Sequence, residues 1–371
     1  MAYLGEKIPK LGFGLMRLPL REKEIDIEEL SRMTDMFLER GFTYFDTAPG
    51  YYEGRSEEAI RKALIDRHPR DSFQFATKLP AWAVGSAAEV RDMFYRSLER
   101  TGAGYFDYFL LHNLGGARTA FFDKYGAWEL VEEMKREGLI RHAGFSMHDK
   151  AVALDEVLKA HPEMEFVQLQ INYVDWENES VQSRKCYETA RRHEKPVIVM
   201  EPVMGGMLAN LPESAAVILR QAGVPQAELA LRFALSLDGL VTVLSGMSSL
   251  QQMDENTTLM RNLKSLTETD YALIERVQAA LDAMPSVPCT GCQYCVKGCP
   301  QKINIPGVME SLNTVRIYNQ MTAAKGHYII FCTRRGGRAG ECIDCGHCTE
   351  VCPQHLPIPA LMKEASELFD S

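Results

Sequence analysis

Residues Phe73 to His112 read FQFATKLPAWAVGSAAEVRDMFYRSLERTGAGYFDYFLLH and contain one complete strand–helix–strand unit. The runs Phe73–Leu79 and Asp107–His112 are apolar and rich in aromatic residues, which is typical of strands buried on both faces. Between them, Ser86 followed three residues later by Glu89 indicates a capping box at the start of a helix. The stretch therefore predicts two parallel strands joined by a helix.

The same alternation recurs eight times between residue 11 and residue 246. The predicted strands are Leu11–Met16, Phe42–Thr47, Phe73–Leu79, Asp107–His112, His142–Ser146, Phe166–Asn172, Pro196–Glu201 and Val241–Gly246. Eight such units predict an α/β fold, a (β/α)8 TIM barrel. An open doubly wound sheet is the alternative, but it usually has a Gly-rich turn and a helix directly after its first strand. Here Leu11-Gly-Phe-Gly14 is followed by Arg17-Leu-Pro19 instead.

Bulk composition sets further limits. The 371 residues leave room for a barrel of roughly 250 residues and a small module. With 46% hydrophobic and 25% charged residues, the composition is that of an ordinary globular protein. The net charge of −9 argues against binding to nucleic acid or to an anionic membrane surface. The N-terminus lacks a signal-peptide pattern and no apolar run is long enough to span a membrane, so we expect a cytoplasmic protein.

The chain changes character after residue 284. Thr267–Met284 reads as a last barrel helix, and Pro285-Ser-Val-Pro288 interrupts the pattern. Nine of the ten cysteines follow, whereas Cys186 alone precedes them. We therefore predict a barrel domain over residues 1–284 and a cysteine-rich domain over residues 285–371.

Two cysteine runs in the second part have identical spacing, C-x2-C-x2-C-x3-C-P. Their members are Cys289, Cys292, Cys295 and Cys299 in the first run, and Cys342, Cys345, Cys348 and Cys352 in the second. This spacing is typical of ferredoxin modules with two [4Fe-4S] clusters, in which the fourth cysteine of each run binds the other cluster. We predict that Cys352 completes the first set and Cys299 the second. Zinc sites and disulfides are the alternatives, but neither usually shows this pitch.

The segment between the two runs has apolar residues at helical spacing, which predicts a mainly helical ferredoxin-like domain. Cys332 lies in this segment and is interpreted as a spare buried thiol. Arg334, Arg335 and Arg338 form either a solvated loop or a docking surface for an acidic electron carrier of the ferredoxin or flavodoxin kind.

Four polar residues lie at or just beyond predicted strand ends: Asp46, Tyr51, Lys78 and His112. The carboxyl ends of barrel strands are where such folds hold their chemistry. Reduction of a carbonyl by hydride leaves an alkoxide that needs a proton. A tyrosine hydroxyl can supply it, a neighbouring ammonium favours the phenolate, and a histidine can orient the carbonyl. The four residues therefore predict a carbonyl/alcohol oxidoreductase site.

These segments resemble the aldo-keto reductase family. Asp46-Thr-Ala-Pro-Gly-Tyr51 is similar to the family motif D-x-A-x-x-Y, and Ala76-Thr-Lys78 and Leu110-Leu-His112 match two further catalytic segments. The cysteine-rich tail is similar to that of the branch that carries ferredoxin domains. The resemblance implies that Tyr51 donates the proton, that Lys78 and Asp46 tune it, and that His112 orients the carbonyl.

The resemblance also implies a nicotinamide cofactor. Ser146 and Gln168 would hold the carboxamide, Gly246 would belong to a late cofactor loop, and Glu255 and Asn256 would contact the adenine. The loop lacks the Lys and Arg that usually hold the NADP phosphate, which leaves NAD versus NADP open. Met147 also stands where the family usually has Asn, with His148 as a potential replacement.

The two parts together predict an oxidoreductase acting on a small carbonyl or alcohol, with electrons exchanged through two [4Fe-4S] clusters, NAD(P)H or both. Because clusters pass single electrons and nicotinamide passes a hydride, a flavin on a partner or in the barrel is a further expected candidate. One alternative is a reductase with purely structural clusters. Another is an electron-transfer or redox-sensing subunit whose barrel does not catalyse.

Overall fold

The computed structural model describes residues 3–334 and 336–371, and its central feature is a closed barrel of eight parallel strands. The strands are β1 (Leu11–Gly14), β2 (Tyr44–Asp46), β3 (Gln74–Leu79), β4 (Phe106–Leu114), β5 (Ile140–Met147), β6 (Phe166–Gln170), β7 (Val197–Met200) and β8 (Leu240–Ser245). Each strand pairs with its sequence neighbours, and β1 closes the barrel on β8. The predicted (β/α)8 barrel is confirmed, and the open sheet is excluded.

The barrel interior is filled by one cluster of buried side chains, contributed by most of its strands. Its members are Tyr44, Ala76, Tyr108, Leu110, Phe166, Ile198, Val241 and Leu244. Because strand side chains alternate with a period of two, the residues two positions after Tyr44, Ala76 and Phe166 face the interior one layer nearer the carboxyl end. Those residues are Asp46, Lys78 and Gln168, which places polar groups at the barrel mouth.

Helices connect the strands and continue into the tail. They are α1 (Ile27–Glu39), α2 (Arg55–Ile60), α3 (Ala87–Thr101), α4 (Thr119–Lys124), α5 (Ala127–Arg136), α6 (Ala151–Ala160), α7 (Ser183–Arg192), α8 (Glu213–Ala222), α9 (Gln226–Leu235), α10 (Leu250–Arg261), α11 (Glu268–Asp282), α12 (Tyr294–Lys297), α13 (Ile305–Tyr318), α14 (Met321–His327), α15 (His347–Glu350) and α16 (Ile358–Phe369). As predicted, Ser86 caps α3 by accepting from the Glu89 amide at 3.3 Å. Leu20–Arg21 and Glu24–Ile25 form a small antiparallel hairpin.

The chain divides into two compact units. The first contains residues up to Met204 together with Glu228–Leu266, and the second contains Gly205–Ala227 together with Thr267–Ser371. Helices α8 and α11 therefore group with the tail, so the division differs from the predicted boundary at residue 284, which stays a prediction.

The tail is built from helices around its own core. Val308, Leu312, Tyr328, Met362 and Phe369 are buried there. Over residues 285–334 and 336–371 the structure contains helices and turns but no strand, which agrees with the predicted helical ferredoxin type. None of the helices in the described part of the chain could cross a bilayer.

Candidate active site and cluster cavities

A buried ion pair lies at the carboxyl ends of two barrel strands, at the mouth of the barrel. Lys78 and Asp46 end neighbouring strands, and the Lys78 Nζ lies 2.5 Å from the Asp46 Oδ1. The same ammonium donates to the Thr47 carbonyl at 2.8 Å. Both charged side chains are almost completely buried, with exposed fractions of 1% and 3%. A buried ammonium needs such partners, because an unpaired one would lose its proton.

Tyr51 approaches this pair from the loop after β2. Its hydroxyl oxygen accepts from the Lys78 Nζ at 3.3 Å, and the ammonium also lies 4.9 Å from the centre of its ring. The ring of His112 meets that of Tyr51 edge to face at 6.2 Å. The structure thus brings together all four residues that the sequence predicted from separate strand ends. The neighbouring Tyr52 lies elsewhere, with its hydroxyl bonded to the Leu18 amide at 3.2 Å.

The local environment sets the protonation states of these groups. Burial raises the pKa of the Tyr51 hydroxyl, and the Lys78 ammonium only partly offsets that rise, so the phenol keeps its proton at neutral pH. Burial alone would lower the pKa of Lys78, but Asp46 and Tyr51 outweigh it and raise that pKa. Burial and the Lys78 charge hold the pKa of His112 well below its usual value, so its imidazole is neutral. A neighbouring ammonium predicts a lowered pKa for the tyrosine, and burial reverses the sign of that shift.

A β-bulge at the end of β4 was not anticipated from the sequence. Leu111 pairs with Phe145 and Leu114 pairs with Met147, so His112 and Asn113 together oppose Ser146 alone. Asn113 adopts a left-handed conformation with φ of +63°, and its amide nitrogen donates to the Ser146 Oγ at 2.7 Å. Such bulges often re-aim side chains beside active sites. The Trp82 indole donates to the His112 carbonyl at 2.9 Å and fixes the bulge from the opposite side.

The predicted cofactor residues fall into two groups. Ser146 and Gln168 are buried and paired in register on β5 and β6, and β5 is the neighbour of the strand that carries His112. Asn256 lies on α10 and donates to the Ser245 Oγ at 3.1 Å, at the end of β8 next to the exposed Gly246. Glu255 is exposed and accepts from Gln251 of its own helix at 2.8 Å. His148 donates its backbone amide to the Leu114 carbonyl, and its side chain is exposed.

Several buried polar atoms at the mouth have no hydrogen-bond partner among residues 3–334 and 336–371. They include the His112 Nδ1, the Asn113 Oδ1 and the Gln168 Oε1. An unpaired buried polar atom is costly, so these three favour a polar ligand that satisfies them. This observation fits a nicotinamide bound against Ser146 and Gln168.

The eight cysteines of the two runs surround two separate cavities in the tail. One cavity is lined by Cys289, Cys292, Cys295 and Cys352. The other is lined by Cys299, Cys342, Cys345 and Cys348. Each cavity thus combines three cysteines of one run with the last cysteine of the other run, as predicted from the spacing.

This donor set fits iron–sulfur cubes, because four thiols surround each apolar cavity. Within the described residues, no three His, Cys, Asp or Glu side chains converge on a point that could hold a single metal ion. Cys332 lines neither cavity and is buried in the tail core, where burial raises the pKa of its thiol to about 12. Arg334 and Arg338 are exposed, and Arg335 lies outside the described residues.

The fold and the site are those of a barrel oxidoreductase with an iron–sulfur module. Comparison with known families agrees with this class. Residues 10–279 match the model of the aldo/keto reductase family, and residues 288–356 match a 4Fe-4S dicluster domain. The chain therefore belongs to the aldo/keto reductase family and carries a C-terminal ferredoxin-type 4Fe-4S domain.

Individual relatives match about three quarters of the chain. The uncharacterized oxidoreductase YqkF of Bacillus subtilis is 26% identical over 301 residues, which cover 72% of this chain and 92% of that protein. L-galactose dehydrogenase of Arabidopsis thaliana is 24% identical, over 76% and 93% of the two chains. Among solved structures, the aldo-keto reductase AKR11C1 of Bacillus halodurans in its holo form superposes with a TM-score of 0.60 at 27% identity, over 74% and 95% of the chains. A Klebsiella pneumoniae aldo-keto reductase solved with NADPH has a TM-score of 0.59 at 21% identity, over 75% and 96%, and supports the fold.

Proposed function

We propose that this protein interconverts a small carbonyl compound and its alcohol at Tyr51, with a nicotinamide dinucleotide bound at the barrel mouth and two [4Fe-4S] clusters in the tail. The observation that carries the proposal is the contact between the Tyr51 hydroxyl and the buried Lys78–Asp46 pair. The nicotinamide supplies or takes up the hydride when bound, and the clusters exchange single electrons with a carrier.

The four residues at the barrel mouth have different roles in the reduction of a carbonyl group. The Tyr51 oxygen accepts from Lys78, which leaves its own hydrogen free to be donated to the carbonyl oxygen. As that oxygen gains negative charge, the proton moves to it and the resulting phenolate is stabilised by the ammonium. Asp46 keeps the ammonium charged and in place. The neutral His112 has an unpaired buried nitrogen with which to orient the carbonyl.

The cofactor and electron supply belong to the same proposal. The unpaired Gln168 Oε1 beside Ser146 favours a nicotinamide, and the solved relative with NADPH is consistent with one. Two cavities with four cysteines each favour two clusters rather than one. Clusters held by these cysteines would supply single electrons, and a flavin on a partner or in the barrel would combine two of them into a hydride, so we propose a ferredoxin-like or flavodoxin-like partner as their source or acceptor.

Anaerobically purified protein tests the enzymatic part. A panel of aldehydes and ketones is offered with NADH or NADPH, and both cofactor oxidation and alcohol formation are measured. We expect one alcohol for each nicotinamide oxidised. Absence of alcohol with every carbonyl and both cofactors would contradict the proposal and favour a non-catalytic barrel.

A second experiment tests the electron route. The clusters are reduced with dithionite, excess reductant is removed, and a carbonyl substrate is added with catalytic amounts of NAD⁺ and of a free flavin, which combines two single electrons and a proton into a hydride. Reoxidation of the clusters, with matching alcohol formation, is the expected result. Clusters that stay reduced while NADH alone supports turnover would show that they serve the fold only.

A further inference from the structure

Ser146 at the end of β5, Asn113 on β4 and Gln168 on β6 each carry a polar oxygen atom that could bind a ligand. The Ser146 Oγ accepts from the Asn113 amide at 2.7 Å, and Gln168 is paired with Ser146 across the strands. The Asn113 Oδ1 and the Gln168 Oε1 are buried and find no partner within residues 3–334 and 336–371. Both unpaired acceptors therefore belong to residues whose backbones contact or pair with Ser146.

The hydroxyl of Ser146 is a donor. Because one lone pair of the Ser146 Oγ already receives the Asn113 N–H, its own hydrogen is available to a ligand. Ser146 and these two neighbours thus offer one donor and two acceptors. A primary carboxamide has the complementary set, since its carbonyl oxygen accepts one bond and its NH2 group donates two.

We propose that Asn113 is a binding residue for the carboxamide of the nicotinamide ring, accepting one of its two N–H bonds while Gln168 accepts the other. This inference rests on the proposed function and adds a residue that the sequence comparison did not single out. The Ser146 hydroxyl donates to the carboxamide oxygen. Three bonds to one planar group fix the rotation of the ring, and so determine which face of it is turned toward Tyr51 and His112.

The bulge explains how Asn113 comes to this position. Consecutive strand residues normally face opposite sides, so His112 and Asn113 could not both face the mouth in a regular strand. The extra residue opposite Ser146 removes that restriction. Asparagine tolerates the left-handed backbone better than most residues, yet its buried side-chain oxygen has no partner among the described residues here. A purely conformational role would leave no reason for a buried, unpaired amide oxygen.

The test compares NAD⁺ with 3-acetylpyridine adenine dinucleotide, in which a methyl group replaces the NH2. Dissociation constants are measured by calorimetry on the full-length anaerobic protein, without substrate. The analogue leaves both acceptors unpaired, so we expect wild type to bind it about a hundredfold more weakly than NAD⁺, about tenfold for each lost bond. In Asn113→Gly, which accepts the same backbone, the ratio should fall to about tenfold. Asn113→Asp keeps an acceptor oxygen and should restore most of the discrimination.

Glu194→Gly is the matched control, because it makes the same change at another left-handed residue, with φ of +58°, before β7 at the opposite end of the barrel. Its ratio should equal that of wild type. An unchanged ratio in Asn113→Gly would overturn the assignment of Asn113 and leave the proposed function standing. Failure of wild type to bind any nicotinamide dinucleotide would instead contradict the proposed function.

Discussion

At the scale of single residues, the chemistry of the site depends on how burial and charge compete. The Tyr51 hydroxyl is pushed toward its neutral form by burial and toward the phenolate by Lys78, and burial prevails. The sequence could identify both residues, because their positions at strand ends follow from the alternating pattern. The sequence could not show which of the two effects on the Tyr51 pKa is larger, because the degree of burial depends on elements that lie far apart in the chain.

The first prediction concerns pH. Since the pKa of Tyr51 is raised above its ordinary value of 10.0, the proposed proton donor keeps its proton throughout the neutral range and loses it only in alkali. His112, with a lowered pKa, stays neutral over the same range. We expect kcat/KM for carbonyl reduction to stay level from about pH 7 to about pH 9. A decline that begins near pH 7 would contradict these protonation states.

The second prediction concerns the ammonium. Lys78→Met removes the positive group that lowers the tyrosine pKa and leaves Asp46 buried without its partner. We expect kcat for reduction to fall by about 100-fold or more, since general acid catalysis of this kind contributes about 10² to 10⁴. The binding of NADH, measured separately, should change much less. Equal losses in binding and turnover would indicate a collapsed site instead.

At the scale of elements, strands were easier to predict than the features that interrupt them. All eight barrel strands could be located because their apolar runs are continuous. The bulge at His112–Asn113 could not be predicted, since Leu110 to Leu114 reads as one strand whether or not it has one residue more than the strand it pairs with. Helix α10 has a weak signal in the sequence, because Leu250–Arg261 has few apolar residues and only Met253 and Thr257 are buried.

A third prediction tests the contact between β5 and β6. A Cβ added at Gly144 would lie 2.3 Å from the Phe166 carbonyl oxygen and 2.8 Å from its ring. Gly144→Ala should therefore lower the free energy of unfolding by about 1–3 kcal/mol, the usual cost of overpacking a core, or more. Thermal unfolding monitored by circular dichroism provides the measurement.

Gly50→Ala is the control for that substitution, because a Cβ there meets nothing within 4 Å and the backbone φ is −83°. Its unfolding midpoint should stay close to that of wild type. If both variants unfolded at the wild-type temperature, β5 and β6 would be able to move apart and admit the Gly144→Ala methyl group more easily than their close packing indicates.

At the scale of the whole molecule, the chain combines a barrel unit with a helical cysteine-rich unit. The sequence predicted the grouping of the cysteines, because the repeated spacing specifies it. The domain limits were harder, since α8 and α11 pack with each other in the second unit although the pattern assigns both to the barrel. Contacts between helices that are distant in the sequence leave no local sequence pattern from which a domain limit could be predicted.

The fourth prediction tests the crossed cysteine sets. Cys299 lies in the first run but lines the cavity of the second run, together with Cys342, Cys345 and Cys348. Anaerobic wild type should contain about eight iron atoms, and Cys299→Ser should lose or alter only one cluster, leaving about four unaffected. Cys332→Ser, in the same unit but outside both cavities, should keep the full content. Iron analysis and electron paramagnetic resonance of the reduced protein would distinguish these results.

The most direct measurement of the central claim is the rate of a single turnover in Tyr51→Phe. Protein loaded with NADH is mixed with an aldehyde that wild type reduces, and the loss of nicotinamide absorbance is followed. Removal of the hydroxyl should slow the reaction by about 10² to 10⁴-fold. Tyr52→Phe, which alters the adjacent phenol, should react like wild type. Equal rates in Tyr51→Phe and wild type would contradict proton donation from Tyr51.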